Sequence, residues 1–221
     1  MTDVAAVIFD LDGVLIDSET IWDDARRSLV EEQGGTWLAS ATRDMMGMSS
    51  REWSVYLRER LGVDVEAEEI SSRVADYVAR RYRAQLPLLP GARGAVLRLA
   101  SAWPLGLASS SNRTIIEEFL DASGLRSSFA VTVSSEEVAR GKPAPDVYLA
   151  AAAGLRAEPD RCVAIEDSTN GLAAAAAARM TVIAVPNQHF PPSADALSRA
   201  ALVMPSVEDL TEEQIRQSAT S

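Results

Sequence analysis

The chain has 221 residues, 47% hydrophobic and 24% charged, ordinary usage for a globular protein and enough for one generous domain or a core with a smaller insert. That composition excludes wholesale disorder, collagen-like repeats and disulfide scaffolds. With 32 acidic against 21 basic residues, a net charge of −11 and no local basic patch, the surface repels phosphate backbones and anionic lipid, so neither nucleic acid nor membrane is an expected partner.

Residues 4–9, Val-Ala-Ala-Val-Ile-Phe, form a short continuous apolar run that predicts a strand buried on both faces. It stops at Asp10-Leu11-Asp12-Gly13. From residue 18 to 86 the pattern is helical. Ser18 is the expected N-cap ahead of Ile21, Trp22, Ala25 and Leu29, and Gly34-Gly35 ends that helix. A short segment over 41–46 leads to Gly47-Met48-Ser49-Ser50. Trp53, Leu57 and Leu61 then mark one helical face, and Ile70, Val74, Tyr77, Val78 and Tyr82 a longer one. After Pro87 and Pro90-Gly91 the rhythm changes. Helices are expected over 92–102, around Ile115–Leu120 (closed by Gly124), and over 145–153, 170–179 and 207–217. Strands are expected over 105–108, 129–133, 162–165, 181–185 and 202–203.

This alternation predicts an α/β fold, a doubly wound parallel sheet with helices on both faces. The helical stretch after the first strand reads as an inserted all-α cap, residues 18–86, on a core made of 1–17 and 87–221. Open parallel sheets bind ligands at the carboxyl ends of their strands. The insert leaves from that end and can act as a lid.

A single cysteine, Cys162, can form no internal disulfide, which suits a reducing cytoplasm, the expected location. Next to a buried strand it reads as an inert packing residue. The N-terminus shows no basic region followed by a long apolar run, so no signal peptide or membrane span is expected. The single histidine, His189, has no Gly-x-Ser-x-Gly elbow to serve and reads as a surface loop residue. Chemistry must therefore come from carboxylates, hydroxyls, Arg and the chain's one lysine, Lys142.

Four segments turn polar near expected strand ends: Asp10-x-Asp12, Ser109, Lys142 and Glu166-Asp167. Carboxylates converging on one crevice repel each other unless a cation sits among them. Oxygen ligands without His or Cys favour Mg²⁺, held by a few carboxylates, waters and a substrate phosphate. A phosphoryl group there needs hydroxyl, backbone N–H and cationic partners, and Ser109 and Lys142 can supply two of them. The set predicts a Mg²⁺-dependent phosphoryl-transfer centre.

The segments Val-Ile-Phe-Asp10-Leu-Asp12-Gly13-Val-Leu-Ile-Asp17-Ser18-Glu19, Leu-Ala-Ser109-Ser-Ser-Asn, Gly141-Lys142-Pro143-Ala-Pro145-Asp146 and Ile-Glu166-Asp167-Ser168-x-x-Gly171 together resemble the haloacid dehalogenase superfamily over essentially the whole chain. The resemblance is closest to the branch with beta-phosphoglucomutase and small sugar-phosphate phosphatases, which have a Rossmann-like core and a helical cap. It implies that Asp10 is a nucleophile forming an aspartyl-phosphate, and that Asp12 is the general acid/base whose backbone carbonyl also ligates metal. It further implies that Ser109 binds phosphate with the Leu11 and Ser110 amides, that Lys142 neutralises developing charge, and that Asp167 with Glu166 holds Mg²⁺. The implied partner is a small phosphorylated metabolite, and nothing demands a second subunit.

Asp12 sets the chain apart from the family's dehalogenases, which lack that second aspartate. The cap has no lysine, unlike the Schiff-base lysine of phosphonoacetaldehyde hydrolases. Similar phosphomutases carry a cap histidine ten residues after the acid/base aspartate and Lys-Asn after the serine motif; here those positions are Trp22 and Asn112-Arg113. Transfer to water is favoured, with a mutase as the alternative. Specificity is expected from the cap. Glu19, Trp22, Arg51 and, from the core, Arg113 are candidate substrate contacts, beside an apolar wall of Met45, Met46 and Met48. Trp53 is expected in the cap core.

Overall fold

The computed structural model describes residues 4–46, 48–188 and 190–220, so the expectations placed on Gly47 and His189 lie outside the described residues. Six strands, β1 (Ala6–Phe9), β2 (Leu105–Ser109), β3 (Phe129–Ser134), β4 (Cys162–Glu166), β5 (Thr181–Ala184) and β6 (Leu202–Val203), form one parallel sheet in the order β3-β2-β1-β4-β5-β6. Val7 of β1 lies beside Leu105 on one side and Val163 on the other.

Period-two alternation sorts the strands' side chains onto two faces. Val7, Phe9, Leu105, Leu107, Val163 and Ile165 join one apolar cluster with α5 (Ala92–Ala100), α6 (Arg113–Ser123) and α10 (Glu212–Ser218). Ala6, Ile8, Ala108, Ala164 and Val182 join a second with α7 (Asp146–Leu155) and α8 (Thr169–Ala177). Small residues dominate the second face (Ala151, Ala152, Ala174, Ala175), which lets α7 and α8 pack close to the sheet.

Between β1 and α5 run α1 (Glu19–Glu32), α2 (Ala41–Met45), α3 (Ser50–Leu61) and α4 (Ala67–Ala84). α4 packs against α1, α3 and α6, and Ile21, Trp22, Val78 and Tyr82 belong to the same continuous cluster as Phe119. The outgoing and returning connections lie side by side: Asp17 N donates to Pro87 O (2.8 Å) and Leu89 N to Leu15 O (3.0 Å). The four helices thus rise from one narrow, hydrogen-bonded neck.

One expectation differs from the structure. The helix placed over 207–217 is broken into a 3₁₀ turn, Val207–Asp209, and α10, because Thr211 starts a new helix with a capping box to Gln214. A four-residue helix, α9 (Ala194–Leu197), was not anticipated; one turn leaves too little periodicity to read. Among the described residues no helix is long and apolar enough to cross a membrane.

Candidate active site

Asp10 follows β1, Ser109 ends β2, Lys142 lies on the loop after β3, and Glu166-Asp167 close β4. All four stand at one edge of the sheet. Strand order reverses between β1 and β4, where connections diverge to opposite faces and leave a crevice.

Lys142 joins the segments. Its Nζ donates to Asp10 Oδ1 (2.7 Å) and to Glu166 Oε1 (2.6 Å). Tyr148 of α7 donates its hydroxyl to the same Glu166 oxygen (2.8 Å) and sets its ring 5.1 Å from the ammonium. The other Glu166 oxygen accepts from the Asp167 amide (3.0 Å) and from the Ser168 amide and hydroxyl (both 3.3 Å). Both Glu166 oxygens are therefore engaged in fixing Lys142 and the start of α8. Asp167 Oδ2 accepts from Asn187 Nδ2 (3.1 Å).

Asp10, Glu166 and Asp167 present oxygens within 4.8 Å of one another, all three residues buried. Three carboxylates face one ammonium, a buried excess of negative charge. Burial first, then the Glu166 charge, push the Asp10 carboxyl up to about 8, with Lys142 only partly opposing. Burial, Glu166 and Asp10 hold Asp167 well above the usual carboxylate range. Burial alone would lower Lys142, but the Asp10 and Glu166 charges outweigh it and hold its pKa above the ordinary lysine value. A divalent cation would cancel the excess, and a donor set of oxygens alone suits Mg²⁺. Two glycines keep the cradle open. A β-carbon on Gly13 (φ +81°) would overlap the Asp167 carboxylate, and one on Gly171 would overlap that of Glu166.

Asp12 faces the helical insert. Its Oδ1 accepts from Ser18 Oγ (2.5 Å) and Trp22 Nε1 (3.1 Å), and its Oδ2 from Ser111 Oγ (2.7 Å). Ser18 sits at the N-cap position of α1, yet its hydroxyl serves Asp12 and makes no cap bond. A cavity of about 70 Å³ lies between Asp10, Asp12, Lys142 and Asp167 on the core side and Glu19, Trp22, Arg26 and Met45, Met46 and Met48 on the insert side.

The profile of the family described as haloacid dehalogenase-like hydrolase matches residues 4–179. The chain belongs to this family. Hexitol phosphatase B of Escherichia coli (strain K12) is 37% identical over 194 residues, 83% of this chain and 84% of that protein. The phosphorylated carbohydrates phosphatase of Thermotoga maritima is 34% identical over 174 residues, covering 78% and 81%. The crystal structure of beta-phosphoglucomutase from Clostridium difficile superposes with a TM-score of 0.84 at 25% identity, covering 98% of this chain and 97% of that one.

Within this haloacid dehalogenase-like hydrolase, the structure brings Asp10, Asp12, Lys142, Glu166 and Asp167 together, with Ser110, Glu19 and Trp22 on the same cavity. The Leu11 side chain is buried in the core, leaving only its backbone near the crevice. Ser109 is fully buried, its hydroxyl accepting from the Ser111 amide (2.9 Å) and lying 3.5 Å from Asp12 Oδ2. Trp53 is buried, as expected, and also reaches the cavity, edge-on to Trp22 at 6.1 Å.

Two expected substrate contacts lie off the cavity that holds Asp10 and Lys142. Arg113 points away from the cavity, because Glu137 and Thr132 lie close enough to occupy its fork: Nε donates to Glu137 Oε1 (2.9 Å), Nη2 to Glu137 Oε2 (2.5 Å) and Nη1 to Thr132 Oγ1 (2.7 Å). Arg51, exposed in the first turn of α3, lines a separate cavity of about 660 Å³ between α3, α4 and the loops after β2 and β3. Asn112 lines this second cavity, where its Oδ1 accepts from Ser50 Oγ (2.6 Å) while its Nδ2 donates to Ser71 Oγ (3.0 Å) and Glu136 Oε1 (2.7 Å).

Tyr148, Asn187, Ser111 and Arg26 were not singled out from the sequence. Asn187 was within reach of the same rule that selected the others, since it lies just past a strand end, that of β5. Arg26 follows Glu19 and Trp22 at i+7 and i+4, the spacing of one helix face. Tyr148 carried no signal beyond its place in the first turn of the helix after Lys142.

Proposed function

We propose that the chain is a Mg²⁺-dependent phosphatase of small phosphomonoesters of the sugar-phosphate class, working through an aspartyl-phosphate on Asp10. The observation that carries this is the buried Asp10–Lys142–Glu166–Asp167 cluster at the sheet's switch point, two residues from an Asp12 held under the insert. The relatives named as phosphatases support it.

Lys142 occupies Asp10 Oδ1, so Oδ2 is the oxygen to attack phosphorus. The P–O bond to the leaving alcohol breaks as the Asp10–phosphorus bond forms, and Asp12 delivers its proton to the departing oxygen. In the second half Asp12 takes a proton from the attacking water, whose oxygen bonds to phosphorus as the Asp10–phosphorus bond breaks, and inorganic phosphate leaves with the Asp10 carboxylate restored. Lys142 and the Ser109–Ser111 loop hold the phosphoryl oxygens. Glu166 orients Lys142 through the contacts described. Asp10 and Asp167, with the Asp12 carbonyl, would hold Mg²⁺, which supplies charge neutralisation and polarises the phosphoryl group when bound.

Residues 18–86 act in this reading as a cap on the core of 1–17 and 87–221, excluding bulk water once closed. Trp22, whose indole N–H donates to Asp12, stands where similar phosphomutases carry a histidine, and that departure favours water over a second sugar as acceptor. We read the protein as a cytoplasmic monomer with no nucleic-acid or membrane partner; its net charge of −11 supports the absence of those partners and its single free cysteine a reducing compartment. Asp10→Asn should abolish release of para-nitrophenol from its phosphate ester; full activity in that variant overturns the nucleophile assignment. Glucose 1-phosphate should yield inorganic phosphate, and conversion to an isomer instead would assign the mutase reaction.

A further inference from the structure

Arg26 is a buried guanidinium, 6% exposed, on the cavity wall. Its Nε donates to the Trp22 carbonyl (3.1 Å), which fixes the group's plane. That leaves four N–H groups on the two terminal nitrogens, and among the described residues they have no hydrogen-bond or ion-pair partner. Glu19, one helix face away at i−7, lines the same cavity and likewise has none. The terminal nitrogens of Arg26 and the carboxylate of the half-buried Glu19 open onto this cavity, so a ligand that enters it either matches them or leaves them unpaired at a cost.

The kind of ligand follows from charge. Glu19, Asp23 and Asp12 already face the Arg26 charge. What Arg26 lacks is lone pairs, not counter-charge. A second anion on the substrate would bring lone pairs but would also meet the field of Glu19 and Asp12. Hydroxyl groups bring lone pairs for Arg26 and O–H donors for Glu19 without added charge. Trp22 stands between the two residues on the helix and touches Asp12, so this wall adjoins the group that protonates the leaving oxygen.

We propose that Glu19 and Arg26 form the subsite for the alcohol half of the substrate, and that Arg26 selects polyhydroxylated leaving groups over aromatic or doubly anionic ones. This rests on the phosphatase reading. The test compares wild type with Arg26→Met, similar in length but without donors, on glucitol 6-phosphate, para-nitrophenyl phosphate and fructose 1,6-bisphosphate. We expect kcat/KM on glucitol 6-phosphate to fall between tenfold and a hundredfold, while that on the aryl ester changes less than threefold. An equal loss on both esters, or none on glucitol 6-phosphate, overturns the proposal. So does a wild-type preference for the bisphosphate that disappears in Arg26→Met. If wild type releases no phosphate from any of the three, the phosphatase reading fails. The subsite is then judged by binding: glucitol 6-phosphate should raise the melting temperature of Asp10→Asn protein more than inorganic phosphate does, and adding Arg26→Met should remove that extra shift while leaving the shift given by inorganic phosphate. Loss of both shifts, or of neither, overturns it.

Discussion

The indole Nε1 of Trp22 donates to the Asp12 carboxylate at 3.1 Å, linking the first helix of the insert to the residue assigned as acid and base. Hydrogen bonds to a charged group contribute about 1.5–3 kcal/mol. Trp22→Phe keeps the ring against Trp53 and removes that donor. We expect kcat on an alkyl phosphate to drop about tenfold, a little over 1 kcal/mol in the barrier. The loss on para-nitrophenyl phosphate, whose leaving group needs little protonation, should be under threefold. Equal losses on both esters would deny Trp22 a part in proton delivery.

Asn112 ties α3 and α4 to the loops after β2 and β3 through its bonds to Ser50, Ser71 and Glu136. It is buried. Asn112→Ala leaves the Ser50 and Glu136 groups without that partner at a cost of about 2 kcal/mol. We expect a lower urea midpoint, together with a rise in KM larger than the fall in kcat, because the insert closes less readily over substrate. Proteolysis at the neck around residues 14–17 and 86–89 should quicken in step. An unchanged cleavage rate would show that Asn112 does not hold the insert down.

Gly171 lies where any β-carbon would overlap the Glu166 carboxylate. Gly171→Ala, a helix-favouring change elsewhere, should here move Glu166 and loosen its hold on Lys142. Overpacking of this kind costs roughly 1–3 kcal/mol. Activity should fall at least tenfold, and more than the modest drop in melting temperature would explain. Wild-type activity in Gly171→Ala would mean that Glu166 does not need this seat.

The carboxylate excess gives the metal-free protein a defined pH response. In the unfolded chain Asp10 titrates near 3.8 and in the folded one near 8, so the folded state binds more protons between those values. Stability is therefore highest below about pH 4 with respect to this group and declines as pH rises through 8. Cation binding requires the ionised form, so Mg²⁺ should release protons and bind more tightly at pH 8.5 than at 6. Thermal melts with EDTA or Mg²⁺ at both values check this: the gain on adding Mg²⁺ should be larger at pH 8.5. A gain independent of pH would remove Asp10 from the metal site.

The polar residues at strand ends, the alternating apolar pattern and the lone lysine made the parallel sheet and the cluster of Asp10, Asp12, Lys142, Glu166 and Asp167 legible in the sequence. Those features are local: a strand shows its period in four residues, and a carboxylate at its end has few places to go. The fates of Arg113 and Arg51 were not legible, because a guanidinium takes whichever acceptors the fold brings near. For Arg113 these are Glu137 and Thr132, 24 and 19 residues away in the chain. Tyr148 entered the site by the same route, through its hydroxyl's bond to Glu166, 18 residues away. Chain order and chemistry named the charged groups; which of them are shielded from water, and by whom each is held, was settled by packing between segments far apart in sequence.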